Sequence, residues 1–487
     1  MKVTLVAPPW EVMVNSYPPL GLGYLAGALR REGHQVKIYD YGLEPKAKVP
    51  QIVKQVLADN PDVIGITTWT HLYHVCLDIA DQIKQQRKDI VIVLGGPHTT
   101  IFPVETLQED EAVDYCVYGE GEMTIVELMR ALEGKISLSA VDGLAYREGG
   151  RILKNKAREM EKNLEWLPFP DRKLMNILKY PLRAWNGERM TTMMTSRGCP
   201  FACSYCYKGL WGRKYLVSPN DGVLEEIKEV IREYGITHFY FVDDLFVVNV
   251  KRLLDFIERL KAEKLNIRWQ CLARVDCLKE EHYYAMAEAG CGKIHFGIET
   301  ADPEIMKVID KETTPDRVRL AVNWAHEAGI RTKGYFMIGL PGDTEETIQK
   351  TIDFAAELPL DEVMFSLTTP FPGTRLWELV KDRFTGIPQR ELFQRASYYY
   401  GTQTVNEPMF NLSDVPTPKL IEYTNKADKM FSKKSYRRRK MEQKFGKVVG
   451  STLWRLSKST TLKNLPPLKP LTHLGKKWLD SQLASVR

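Results

Sequence analysis

Three cysteines stand within eight residues, in Thr195-Ser196-Arg197-Gly198-Cys199-Pro200-Phe201-Ala202-Cys203-Ser204-Tyr205-Cys206. The spacing is C-x3-C-x2-C. Three thiolates on one short loop can each ligate an iron of a cubane cluster and leave the fourth iron without a protein ligand. Such an open position is what makes a metal site catalytic rather than structural. Zinc is the competing ion, but structural zinc wants four closed ligands, usually two CxxC pairs, and no second pair lies nearby. The other five cysteines, Cys76, Cys116, Cys271, Cys277 and Cys291, are scattered. Their spacing suits structural roles or a place near substrate better than a second cluster. With no secretion signal, clustered cysteines point to metal or redox chemistry and not to disulfides.

Two stretches of strand–helix alternation can position such a loop. In residues 1–135 the β-rich runs are 3–6, 35–40, 63–67, 90–94 and 115–118. A helix over 19–33 begins at Pro18-Pro19 and ends at Gly33. This pitch predicts a Rossmann-like, doubly wound parallel sheet, whose ligands sit beyond the carboxyl ends of its strands. Those ends carry Thr67-Thr68, Gly95-Gly96-Pro97-His98 and Gly119-Glu120-Gly121-Glu122. Residues 136–190 read as a linker with a small hairpin around 144–153. Residues 191–395 resume the alternation with strands at 191–195, 237–242, 268–273, 293–299, 331–339 and 362–367. Six βα units are too few for a closed eight-fold barrel, so a partial TIM-type (βα)6 barrel is expected, with its site at the strands' C-terminal ends. Residues 396–487 read as helical and basic. The fold class is therefore α/β, with a helical C-terminal region.

Charge divides the chain. Residues 425–487 hold 17 Lys and Arg against 3 Asp and Glu, while the rest holds 51 against 59. The densest run is 433–440. No nucleic-acid module accompanies it, so nucleic acid is not expected as a partner. Apolar and basic residues alternate around Leu453-Trp454-Arg455-Leu456, a pattern that suits peripheral contact with a membrane surface. The alternative is a solvated face. No apolar stretch reaches the length of a membrane span, and the N-terminus reads as a first strand and not as a signal peptide, so the expected location is cytoplasmic, with or without membrane association.

The cysteine loop, with Tyr205 just before Cys206, resembles the signature of the radical SAM superfamily. Phe241-Val242-Asp243-Asp244, Arg274-Val275-Asp276, Gly297-Ile298-Glu299-Thr300, Gly339-Leu340-Pro341-Gly342 and Pro370-Phe371-Pro372-Gly373-Thr374 extend the resemblance in order across the barrel. It implies that Cys199, Cys203 and Cys206 hold a [4Fe-4S] cluster, and that Tyr205, Asp243, Asp244, Arg274, Glu299, Gly339 and Pro341 surround S-adenosylmethionine. Each residue suits its place chemically. An acid pair receives an ammonium, Arg274 grips a carboxylate with two prongs, Glu299 accepts from a ribose diol, and Gly-x-Pro-Gly lets backbone approach a flat ring.

The first domain resembles the cobalamin-binding domain that precedes many such barrels, through Tyr17-Pro18-Pro19-Leu20-Gly21, Gly65-Ile66-Thr67-Thr68, Gly95-Gly96-Pro97-His98 and Gly119-Glu120-Gly121-Glu122. The residues implied for cobalamin are Thr67, Thr68, Gly95, Gly96, His98, Gly119, Glu120 and Gly121. The D-x-H-x-x-G motif, whose His ligates cobalt in many cobalamin proteins, is absent. Trp69, Thr70 and His71 are then candidates for the lower face of the cofactor.

The expected activity is oxygen-sensitive, cobalamin-dependent radical SAM chemistry, with methylation of an unactivated carbon as the main reading. The alternative keeps both cofactors and forms or rearranges a ring, as a cyclase does. A non-catalytic cobalamin or iron–sulfur sensor is the reading from a different class. The expected partners are a small-molecule substrate, lipid-like or porphyrin-like, and a flavodoxin- or ferredoxin-type electron donor.

Overall fold

Val63-Ile64-Gly65-Ile66 is buried at every position, as a parallel strand covered on both faces must be. In the computed structural model it lies near the middle of a seven-stranded sheet. The structure describes residues 1–11, 17–161, 163–396 and 410–432, together with 446, 449 and 452. The sheet's strands are β1 (Lys2–Ala7), β2 (Gln35–Asp40), β3 (Val63–Thr67), β4 (Val91–Gly95), β5 (Tyr115–Val117), β6 (Leu144–Glu148) and β7 (Arg151–Lys154), in the order β2-β1-β3-β4-β5-β6-β7. The first five run parallel. The strand order reverses between β1 and β3, the kind of place where such sheets take ligands, at the carboxyl ends of their strands.

The hairpin expected in a linker is present but belongs to this sheet. Tyr115, Cys116 and Val117 pair antiparallel with Tyr146, Ala145 and Leu144. All three hairpin residues are buried, so β6 covers an edge whose backbone groups would otherwise be unpaired. The N-terminal sheet thus runs through Lys154, past the boundary expected at 135.

The second sheet has the order β15-β14-β13-β12-β11-β8, all parallel. Its strands are β8 (Met190–Met193), β11 (His238–Phe241), β12 (Arg268–Ala273), β13 (Cys291–Glu299), β14 (Arg331–Ile338) and β15 (Glu362–Leu367). Two short strands, β9 (Ser196–Arg197) and β10 (Leu216–Val217), pair antiparallel beside it. This is the open six-stranded barrel. In β14 alternate residues Thr332, Gly334, Phe336 and Ile338 are buried toward the helices, while Lys333, Tyr335 and Met337 face the lumen. Trp185 plugs the lower mouth beneath Gly292, where any Cβ would stand 1.8 Å from the indole ring.

The C-terminal part straps the two units together. The helix Thr417–Phe431 lies on β15 and β14, with Phe431 stacked on Phe365 at 5.5 Å. The helix Gln389–Ala396 returns to the N-terminal unit, where Phe393 and Leu392 join the core with Tyr73. Arg390 pairs there with Asp78 and Asp81. The stretch expected to finish the barrel, up to residue 395, therefore packs on the other domain. Among the described residues no helix is long and apolar enough to cross a membrane. The basic run 433–440 and the apolar–basic stretch 453–456 lie outside the described residues.

Candidate active site

The cysteine loop leaves β8 through β9, and its root is pinned from below. Asp243, fully buried at the end of β11, accepts hydrogen bonds from the Thr195 amide (2.9 Å), the Thr195 hydroxyl (3.0 Å) and the Ser196 hydroxyl (2.5 Å). Its neighbour Asp244 is exposed and accepts from the Gly198 amide at 3.0 Å. Gly198 has φ of +84°, and a Cβ there would meet the Lys214 carbonyl at 2.1 Å, so only glycine fits. Asp243 was expected at the methionine ammonium. The structure instead makes it an internal clamp, because its side chain points back at the loop's backbone, and leaves Asp244 at the mouth.

The three cysteines are free thiols: Cys203 buried, Cys199 half-buried and Cys206 exposed. Cations surround them. Arg274 Nη1 lies 3.5 Å from Cys203 Sγ, and its guanidinium sits 3.7 Å over the Phe201 ring. Burial pushes the Cys206 thiol up in pKa, and Lys208 opposes that shift. A basic setting favours the thiolate that binds metal. No three His, Cys, Asp or Glu converge on a single ion among the described residues. Thiolates that each take a separate iron of a cubane need no such convergence. The donor set fits an iron–sulfur cluster better than a zinc ion.

Arg274 was expected to wait for a carboxylate. It already holds Asp276 with two prongs, at 2.9 and 2.7 Å, while Nη2 also donates to the Lys311 carbonyl and Nη1 is directed at Cys203. Glu299 ends β13 with φ of +71°, and accepts from the Tyr205 hydroxyl at 3.1 Å. Lys311 completes this group, 2.9 Å from the Tyr205 oxygen and 3.2 Å from Glu299. Burial first, then Glu299, drives the Tyr205 pKa well up. The Gly339 and Leu340 amides donate to Asp343 Oδ2 at 3.0 and 2.9 Å, which fixes the turn that carries Pro341. Burial pushes the Asp343 carboxyl up to about 6. Lys208, Lys311 and Asp343 were missed from sequence. Lys208 alone had a readable signal, a cation two residues beyond a cysteine.

At the mouth of the N-terminal sheet Thr67, Gly95, Gly96 and Gly119 come together. The Thr68 amide donates to the Gly95 carbonyl at 2.6 Å, and the Thr68 carbonyl accepts from the His98 amide at 3.0 Å. Gly96 has φ of +110°, and a Cβ there would lie 3.1 Å from the Thr68 backbone. Gly119, with φ of +76°, faces open space, as contact with a broad ligand requires. Gly121 opens the helix Gly121–Leu132. Trp10 and His71 lie in ring contact at 4.6 Å beside the half-exposed Trp69. The Trp10 indole nitrogen is buried and has no hydrogen-bond partner among the described residues.

Three residues expected at the cofactor are placed elsewhere. Thr68 is buried, with its hydroxyl on the Ile66 carbonyl. His98 is buried in the core, stacked on Tyr73 at 3.9 Å and edge-on to Phe393 at 5.2 Å, and burial lowers its pKa to about 3. Glu120 turns away to meet Arg197 at 2.7 Å. The Gly119–Glu122 segment, read as part of the cobalamin site, is here also tied to the barrel unit through Arg197.

Two family models match the chain: B12 binding domain over residues 11–129 and Radical SAM superfamily over residues 193–355. An uncharacterized methyltransferase of Pyrococcus horikoshii is 38% identical, over 78% of this chain and 83% of the relative. The anaerobic magnesium-protoporphyrin IX monomethyl ester cyclase of Cereibacter sphaeroides is 28% identical, over 82% and 66%. The cytidylyl-2-hydroxyethylphosphonate methyltransferase of Streptomyces wedmorensis is also 28% identical, over 82% and 85%. Among solved structures, the radical S-adenosylmethionine methyltransferase TsrM from Kitasatospora setae superposes with a TM-score of 0.66 at 20% identity, over 79% of this chain and 75% of that one. The cobalamin-dependent S-adenosylmethionine radical enzyme OxsB does so at 0.64 and 20%, over 88% and 61%. These two show the shared two-unit fold. The chain belongs to the cobalamin-binding radical SAM methyltransferase family, whose enzymes work with cobalamin, S-adenosylmethionine and a [4Fe-4S] cluster.

Proposed function

We propose that this enzyme methylates a carbon of a small-molecule substrate held in the barrel lumen, with Cys199, Cys203 and Cys206 as the ligands of its cluster. The observation that carries this reading is the cysteine loop at the barrel's strand ends, beside Arg274 and Lys208 and tied through Arg197 to the strand-end segment that holds Gly119. When bound, the cluster and S-adenosylmethionine supply a carbon-centred radical, and cobalamin supplies a methyl group.

The chain's part is positioning and exclusion of side reactions. Arg274 and Lys208 offset the thiolates' charge. Asp244, exposed at the mouth, receives the ammonium of S-adenosylmethionine. The Tyr205–Glu299–Lys311 group holds the ribose side, and the Gly339–Pro341 turn lies against the adenine. Thr67, Gly95, Gly96 and Gly119 line the cobalamin crevice. The functional units are the N-terminal sheet through Lys154, the barrel from β8 to β15, and a C-terminal strap.

A second reading, ring closure without methyl transfer, is favoured by the similarity to the cyclase. The proposal includes a cytoplasmic, oxygen-free setting and reduction by a flavodoxin- or ferredoxin-type donor. Its support is the resemblance of the barrel. Anaerobic reconstitution with iron, sulfide and hydroxocobalamin, followed by analysis of S-adenosylmethionine products, tests it. A methyl mass gain with S-adenosylhomocysteine and 5′-deoxyadenosine supports methylation. 5′-Deoxyadenosine without S-adenosylhomocysteine supports the second reading. No cleavage of S-adenosylmethionine under strong reductant overturns both.

A further inference from the structure

Arg197 sits two residues before Cys199, yet its side chain belongs to the other domain. It is 3% exposed and donates to Glu120 Oε1 at 2.7 Å and to Glu122 Oε1 at 2.5 Å. Tyr24 of the N-terminal unit and Trp211 of the cysteine loop flank the guanidinium at 5.6 and 5.8 Å. Glu120 ends the loop after β5 and Glu122 lies in the first turn of the helix Gly121–Leu132, and the Gly119 amide just before them is tied to the Thr100 hydroxyl at 3.1 Å.

The backbone of Arg197 is equally fixed on the barrel side. Leu216 pairs with it across the β9–β10 ladder. Asp243 holds Thr195 and Ser196 just before it, and Asp244 holds Gly198 just after it. The Gly198 backbone also packs closely on the Lys214 carbonyl, which a Cβ there would meet at 2.1 Å. A buried Arg–carboxylate group in low dielectric resists partial rearrangement, because leaving any member unpaired is costly. A shift of the Gly119–Glu122 loop therefore moves Arg197, and Arg197 moves the start of the cysteine loop.

We propose that Arg197 is a positioning residue that couples the two cofactor sites, so that filling either one raises the other's affinity by the same factor. This rests on the assignment of the two sites under the proposed function. Linkage requires the factor to be reciprocal.

The experiment uses the full chain, reconstituted with iron and sulfide under anaerobic conditions. Hydroxocobalamin is titrated with and without saturating S-adenosylmethionine, and S-adenosylmethionine with and without hydroxocobalamin. The wild type is expected to show roughly tenfold coupling, equal in both directions. In Arg197→Lys, and separately in Glu120→Gln, it is expected to fall to within about twofold while each cofactor still binds alone. The electron paramagnetic resonance spectrum of the reduced cluster gives a second reading: cobalamin perturbs it in the wild type and not in Arg197→Lys. Coupling absent from a wild type that binds both cofactors overturns the inference. So does full coupling in both variants. A wild type that binds no iron or no cobalamin overturns the function reading itself, and this inference with it.

Discussion

The two strand-end mouths of this protein are built from different materials. The barrel's mouth is ionic: Arg274 beside Cys203, Asp276 under Arg274, and Lys311 between Tyr205 and Glu299, all held by direct side-chain contacts. The mouth of the N-terminal sheet is mostly backbone, with Gly96 close against the Thr68 main chain, Gly119 facing open space and Thr68 bonded to main chain. A small zwitterion and a charged cluster need point charges at fixed places. A broad macrocycle needs area and close backbone approach. Sequence motifs name charged residues at strand ends readily, but Asp243 and Arg274 show that such residues also serve as internal clamps and pairs.

The sharpest break of this contrast is removal of the thiolates. Cys199→Ala with Cys203→Ala and Cys206→Ala is expected to abolish iron content and S-adenosylmethionine cleavage while cobalamin still binds, as metal analysis and absorbance spectra would record. Loss of both cofactors together would show that the mouths do not fold independently.

Next in size is a buried pair outside both mouths. Arg172 pairs with Glu226 at 2.6 Å, and both are buried. Arg172→Met leaves Glu226 without its partner and is expected to cost about 3–5 kcal/mol in denaturant unfolding. A cost near zero would mean that Glu226 finds water or a proton instead.

Gly96→Ala tests the backbone-built mouth. Its φ of +110° and the 3.1 Å approach to Thr68 make a side chain unwelcome. The expected cost is about 1–3 kcal/mol, read as weakened cobalamin binding with iron content unchanged. Equal loss of iron would contradict a local effect.

The smallest expected effect depends on pH. Asp343 has its carboxyl pKa raised from 3.8 to about 6, by burial that outweighs its hydrogen bonds. The folded state therefore holds this proton more tightly than the unfolded chain. Its contribution to stability is full below about pH 4 and is lost as pH rises through about 6. Asp343→Asn should flatten that slope by on the order of 1 kcal/mol across the window. Unfolding midpoints of both proteins between pH 4 and 7 check it, and parallel slopes would show that Asp343 ionises normally.

The strand–helix alternation, the six barrel strands and the C-x3-C-x2-C loop were all legible in sequence, because period and spacing are local properties of a chain. Asp244, Glu299 and the Gly339–Pro341 turn also lie at the ends of strands, where the alternation puts them, and Tyr205 lies in the cysteine loop. What sequence could not decide was which way a polar side chain faces. Asp243 and Asp244 are adjacent, yet one is sealed under the loop and the other is exposed. His98 follows a ligand-type glycine turn but is packed between Tyr73, on which it stacks, and the edge of Phe393, a residue almost three hundred positions away. Lys311 reaches Tyr205 across 106 positions, and Arg197 reaches Glu120 across 77. Such pairings depend on long-range packing, which places two distant segments within one hydrogen bond. Composition and spacing determined which chemistries this chain can carry; only the tertiary structure decided which of its charged groups are free to meet a cofactor and which are already bound to each other.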